Sequence, residues 1–209
     1  MVSMLLFTIA MQAQKPIRSN VRLDVSIPVI TSNYVLRKGF AEVFDINTSY
    51  QMTIAKNVTL GPAFSWTHFT IDSLTYERYR TRMHIFTPAV DIGYQTYMGE
   101  NALFTGSIQV GYALSRFKNV FSDTLKTPSG YNFNALSFEP MLRFYFFTSD
   151  RLALGFKLSY KVVLGNTDYR NLYFEKFSTF TDKQNRGTTQ YFNGGVVVLI
   201  GTSKKNVRQ

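Results

Sequence analysis

In the stretch VRLDVSIPV every odd position is apolar (Val21, Leu23, Val25, Ile27 and Val29), and the even ones are Arg22, Asp24, Ser26 and Pro28. A period of two is the signature of a strand, whose successive side chains point to opposite faces. The same alternation runs through 44–52, 58–69, 83–97, 103–117, 135–148, 152–164 and 189–201. These segments are each about ten residues long, the length with which a tilted strand crosses a bilayer. Helical spacing is not sustained, except for a suggestion of it within 168–180.

The connectors divide into two kinds. AKN (55–57), MGEN (98–101) and SDR (149–151) are tight, whereas 32–42, 70–82, 118–134 and 165–188 are long and rich in turn formers and charge. Short and long connections alternate strictly. An up-and-down barrel with tight turns at one rim and long loops at the other has this asymmetry. The chain therefore predicts an all-β fold, an eight-stranded antiparallel up-and-down transmembrane β-barrel. It forms one domain over 15–209, with its strands within 20–202 and both termini on the periplasmic side.

Alternation does not say which face is inside, because a soluble ligand-binding barrel of the lipocalin kind has the same period with its apolar face inward. The polar parity decides. It carries Arg22, Asp24, Asp45, Asn47, Gln51, Asp91, Gln95, Gln109, Glu139, Arg143, Lys157 and Lys161, interspersed with Gly61, Ala63, Gly93, Gly111, Ala153 and Gly155. A solvated face has no reason to prefer Gly and Ala. A narrow lumen does, since large side chains must alternate with small ones to fit. The candidate lumen also balances four acids (Asp24, Asp45, Asp91, Glu139) against four bases (Arg22, Arg143, Lys157, Lys161). Removing those eight from the 23 basic and 13 acidic residues leaves the whole net charge of +10 in loops, rims and tail.

Register sharpens the expectation. With SDR as a three-residue hairpin loop, Thr148 pairs with Leu152, Glu139 lies opposite Lys161, and Arg143 lies opposite Lys157. The like-charged pair needs acids from across the lumen, with Asp45 and Asp91 as candidates. On the other parity, Trp66, Tyr94, Tyr112, Phe146 and Tyr160 gather towards strand ends, where rings sit at headgroup level. Pro62, Pro88 and Pro140 fall in the apolar register. Each removes a ladder hydrogen bond, so bulges or rim positions are expected there.

Composition agrees. Aromatics are plentiful, 19 Phe and 13 Tyr against one Trp, as favours strands. Apolar residues are 45% of the chain, and the mean hydropathy of -0.08 suits neither a helical membrane protein nor a disordered one. Without cysteine, disulfides, thiolate sites and a lipid anchor on Cys are excluded. The uncharged opening MVSMLLFTIAMQAQ, residues 1–14, reads as a signal peptide cut near Ala13 or Gln14, although a positive n-region is missing.

The MQAQ opening, the amphipathic strands and the terminal QYFNGGVVVLIG together resemble the small outer-membrane β-barrel proteins of the Bacteroidota. The architecture is similar to the OmpA transmembrane domain and to OmpX. The resemblance implies residence in the bacterial outer membrane. Such barrels often end on an aromatic residue, whereas this chain runs on through TSKKNVRQ.

Chemistry is sparse. His68 and His84 lack a further ligand at metal spacing. The residues two away from them, Trp66, Thr70, Arg82 and Phe86, supply no serine for a lipid-deacylating pair on a lipid-facing strand. No enzyme, cofactor or metal is expected, and dispersed basic residues speak against nucleic acid. Expected partners are outer-membrane lipid, lipopolysaccharide through Arg80, Arg82, Arg116 and Lys118, and an extracellular ligand or protein through loops 118–134 and 165–188, with the protein a monomer. The function expected is a plugged barrel with a structural or interaction role. A narrow ion-conducting channel and a soluble exported ligand-binding barrel stay open as alternatives.

Overall fold

The structure, a computed structural model, describes residues 19–32, 34–71, 81–99, 101–119, 130–168 and 186–202. Eight strands follow one another: β1 (Ser19–Ile30), β2 (Phe40–Ala55), β3 (Val58–Ile71), β4 (Thr81–Met98), β5 (Ala102–Asn119), β6 (Gly130–Phe147), β7 (Leu152–Asp168) and β8 (Arg186–Gly201). Each is antiparallel to the next, and β1 pairs with β8, so the sheet closes on itself. Closure removes both sheet edges and pairs every strand on both sides. The opening residues 1–14 lie outside the described residues.

The tight connectors form as the sequence implies. Asn57 and Gly99 turn the β2–β3 and β4–β5 hairpins with φ of 69° and 70°, a region open to Asn and Gly at little cost. At the β6–β7 turn, Thr148 N donates to Leu152 O at 2.9 Å, which sets Arg143 opposite Lys157. The long connectors are shorter than expected, because β5 and β6 reach Asn119 and Gly130 and β7 and β8 reach Asp168 and Arg186. The remainders, 120–129 and 169–185, lie outside the described residues, as does nearly all of the suggested helix at 168–180. A helical turn that the periodicity did not signal, α1 (Tyr34–Gly39), lies between β1 and β2.

The prolines correct an expectation. Pro62, Pro88 and Pro140 occupy neither bulges nor rims. Among the described residues the register shifts fall at Glu42/Phe44, Thr53/Ala55 and Val163/Thr167, and pairing resumes in unchanged register past each proline. Pro62 pairs with Val90, Pro88 with Phe64 and Pro140 with Ile108, while the ladder is interrupted on the other side. A residue in an antiparallel sheet bonds only one of its neighbours. A missing N–H therefore opens one ladder locally and leaves the register alone.

Along the middle of the barrel the polarity is inverted relative to a soluble protein. Leu23, Val25, Ile27, Val90, Ile92, Leu142, Phe156 and Leu158 point outward and are 45–63% exposed, while Arg22, Asp24, Asp45, Asp91, Arg143 and Lys157 are at most 1% exposed. Small residues let the wall curve around that filling. A Cβ at Gly155 would overlap the Phe144 carbonyl oxygen, and one at Gly61 the Tyr50 carbonyl oxygen.

At the loop end the polarity reverts. There Ile30, Leu36 of α1, Phe40, Phe69, Met83, Ile85, Phe117 and Tyr191 pack inward as an apolar cluster. The outward positions become Thr70, Arg82, His84, Arg116 and Lys118. A second apolar cluster, Leu103, Tyr145, Ala153, Val197 and Leu199, lies toward the turn end. The charged middle thus lies between two apolar clusters, the turn-end one interspersed with buried Arg22, Gln51 and Gln95.

Candidate functional site

The lumen charges come together by closure of the barrel. Asp24 arrives on β1, Asp45 on β2, Asp91 on β4, Glu139 and Arg143 on β6, and Lys157 and Lys161 on β7. Arg143 donates from Nη2 and Nε to Asp24 Oδ2 at 2.8 and 3.1 Å and from Nη1 to Ser107 Oγ at 2.9 Å. Its Nη1 also stands 3.6 Å from Asp91 Oδ2. Lys157 Nζ is the hub, at 3.2 Å from Glu139, 3.6 Å from Asp45 and 3.7 Å from Asp24. These are ionic contacts without hydrogen-bond geometry. Lys161 Nζ lies 3.6 Å from Glu139 Oε2 and donates to Ser65 Oγ.

Neutral groups complete the shell. Thr67 and Ser26 donate to Asp45 at 2.6 and 3.3 Å. Ser159 donates to Glu139 at 2.7 Å. Gln109 donates to Asp91 at 3.1 Å and exchanges two amide hydrogen bonds with Asn47 at 2.8 and 3.2 Å. Each buried charge costs several kcal/mol to strip of water, and the ion pairs and hydrogen bonds of this network offset that cost. The shared partners hold the like-charged Arg143 and Lys157 side by side.

Two features were not legible from register. Asp24, rather than Asp45 or Asp91, is the principal partner of Arg143, and it also faces Lys157. Arg22 balances the lumen formally but makes no ion pair among the described residues. Its Nε donates to Asn20 Oδ1 at 2.9 Å, and its Nη1 and Nη2 meet no acceptor among the described residues. The same is true of polar atoms of Gln51, Thr105 and Tyr145. Buried polar atoms of this kind are satisfied by internal water in folded proteins.

The five singled-out aromatics, Trp66, Tyr94, Tyr112, Phe146 and Tyr160, all point outward. Tyr94 and Phe146 stand at the turn end, where Asn57 Nδ2 donates to the Tyr94 hydroxyl at 3.1 Å. Trp66, Tyr112 and Tyr160 stand toward the loop end, and Tyr160 OH donates to Gln190 Oε1 at 2.8 Å. His68 and His84 pair across β3 and β4 with ring centroids 4.4 Å apart. Trp66 Nε1 donates to His84 Nδ1 at 3.2 Å, which puts the proton of a neutral His84 on Nε2. Among the described residues no group of three or more potential metal ligands occurs.

Sequence reasoning missed the apolar clusters, and a signal for them exists. In TRMHIFTPAVDIGY the apolar positions are odd at Met83 and Ile85 but even at Val90, Ile92 and Tyr94. The inward parity does not change along β4, so the switch marks the level at which the surroundings change.

No protein-family model and no curated protein matches the chain. Among solved structures it is similar to Neisserial surface protein A, with a TM-score of 0.57 over 88% of this chain and 97% of that one at 9% identity. It is also similar to the Yersinia pestis attachment invasion locus protein Ail, with a TM-score of 0.46, 10% identity and coverage of 86% and 97%. The third is the outer membrane protein OprG from Pseudomonas aeruginosa, with a TM-score of 0.46, 8% identity and coverage of 88% and 97%. At such identities the likeness is one of fold alone.

Proposed function

We propose that this protein is an integral barrel of the bacterial outer membrane, with its termini periplasmic. Its lumen is sealed, and its role is structural or interactive through the long loops 118–134 and 165–188. The observation that carries this reading is the double inversion of polarity along single strands. In the middle of β4, Val90 and Ile92 face outward and Asp91 faces inward. Toward the loop end of the same strand, Met83 and Ile85 face inward and Arg82 faces outward. A wholly water-exposed barrel has no use for the first arrangement, and hydrocarbon excludes the second. A strand that passes from acyl chains into water needs both. The aromatics Trp66, Tyr94, Tyr112, Phe146 and Tyr160 then lie toward the two edges of the apolar band, at the level of lipid headgroups.

The inward faces favour a plug over a pore. Passage of an ion through the described lumen requires breaking the Lys157 hub and displacing the apolar layer around Leu36, Phe69 and Met83. An eight-stranded barrel is filled by its own side chains. The resemblance to Bacteroidota barrels rests on the sequence pattern and gives the lineage in this proposal.

Membrane fractionation with gel mobility before and after boiling tests the reading. The mature protein is expected in the outer-membrane fraction, migrating differently when unboiled. Recovery in the aqueous fraction without detergent overturns it. In planar bilayers the wild type and Glu139→Ala are both expected at baseline conductance, and discrete channel openings by the wild type would reinstate the narrow-channel reading.

A further inference from the structure

On the outward face of β3–β5, just above the apolar band, the register lays out two rows. His68, His84 and Arg116 form one, and Thr70, Arg82 and Lys118 form the next toward the loops. Arg82, Arg116 and Lys118 are exposed. No salt bridge among the described residues reaches them, although uncompensated neighbours of one sign repel.

Below the bases lies a stack of flat rings. Trp66 and Phe86 are nearly parallel, 10° apart with centroids at 6.3 Å, and His84 continues the stack at 6.1 Å from Trp66. The Arg116 guanidinium carbon sits 5.9 Å from the Phe86 ring centre. The other wall is different. Around β7, β8 and β1 the corresponding edge carries the uncharged hydrogen-bonded set Thr31, Tyr160 and Gln190. At this level the basic rows stand on β3–β5, opposite an uncharged set on β7, β8 and β1.

We propose that the loop-end edge of β3–β5 binds a phosphorylated lipid of the outer leaflet, with Arg82, Arg116 and Lys118 on its phosphate and the Trp66–Phe86–His84 ring platform against the base of its acyl chains. The inference rests on the membrane reading given above. Three cations with no carboxylate paired to them among the described residues call for a negative ligand. The aromatic ledge beneath them, continuous with outward Phe64 and Val90, calls for one that is apolar at one end. A lipid with an anionic phosphate head meets both demands, and a soluble anion meets only the first.

The test uses the full mature chain, folded in neutral detergent and titrated with diphosphoryl lipid A, and the same chain in phosphatidylcholine vesicles with and without that lipid. The wild type is expected to bind lipid A in a salt-sensitive manner. The variant R82Q/R116Q/K118Q should bind on the order of 100-fold more weakly, about fivefold for each base near an anionic surface. The turn-end control K56Q/R151Q should bind like the wild type. Equal affinity of the wild type and the triple variant overturns the site. Equal binding of inorganic pyrophosphate, which lacks acyl chains, overturns the lipid as its occupant. Heat-modifiable mobility is followed in every sample. A wild type that never inserts sinks the membrane reading, whereas an inserted wild type indifferent to lipid A sinks only this inference.

Discussion

Replacing Lys157 by Met removes the cation that three carboxylates share while keeping most of the side-chain volume. Each contact, at 3.2–3.7 Å, is a gross attraction of about 5 kcal/mol at an effective dielectric of about 20. Most of that is offset, because the ammonium no longer has to be desolvated and Arg143 loses a like-charged neighbour across the pair. Breaking a buried ion pair from one side costs about 3–5 kcal/mol net, and the hub position puts Lys157→Met near the upper end. The assay is reversible urea unfolding of the barrel in lipid vesicles, followed by tryptophan fluorescence and gel mobility. Glu139→Gln in the same background should recover about 2 kcal/mol as a coupling energy, since the carboxylate it removes has lost its nearer ammonium and keeps, among the described residues, only Lys161 at 3.6 Å as a cationic partner. Arg22→Met supplies the contrast. It removes an equally buried cation whose Nη atoms meet no carboxylate, so its cost should stay within about 1 kcal/mol. Similar costs for Lys157→Met and Arg22→Met, with no coupling to Glu139, would refute the hub.

Leu158→Arg, on the outward face at mid-strand, should cost about 2–4 kcal/mol in the same unfolding assay, against at most about 1 kcal/mol for Leu164→Arg near the edge of the apolar band. Equal costs at the two positions would remove the depth dependence that a bilayer imposes. Gly155→Ala places a Cβ against the Phe144 carbonyl oxygen, backbone that has no room to shift. It should abolish the unboiled fast-migrating band, whereas Gly106→Ala, whose Cβ would meet only the Leu142 side chain at 3.7 Å, should leave it intact.

Much of the barrel was readable from local pattern. Alternation in all eight strands follows from the strand period alone. The parity of Gly and Ala with the ionisable residues placed Asp24, Asp45, Asp91, Glu139, Arg143, Lys157 and Lys161 on one face. The SDR turn fixed the β6–β7 register, because a three-residue loop leaves one pairing and a slip by one turns every side chain over. The prolines misled because the loss of a ladder hydrogen bond was expected to force a bulge or a rim position, whereas it opens one ladder locally and leaves the register unchanged. The apolar layers at the lumen ends were missed because a single parity was extended along each whole strand.

The sequence by itself determined that the chain is strand, how many strands it has, and which residues share a face, since these depend on neighbours two residues apart. Only the tertiary structure decided which cation meets which carboxylate. Arg143 and Asp24 stand 119 positions apart in sequence and 2.8 Å apart in space. They meet because the last strand pairs with the first and the strands are staggered around the wall. That across-lumen geometry is a property of the closed barrel, and no local stretch of the chain contains it.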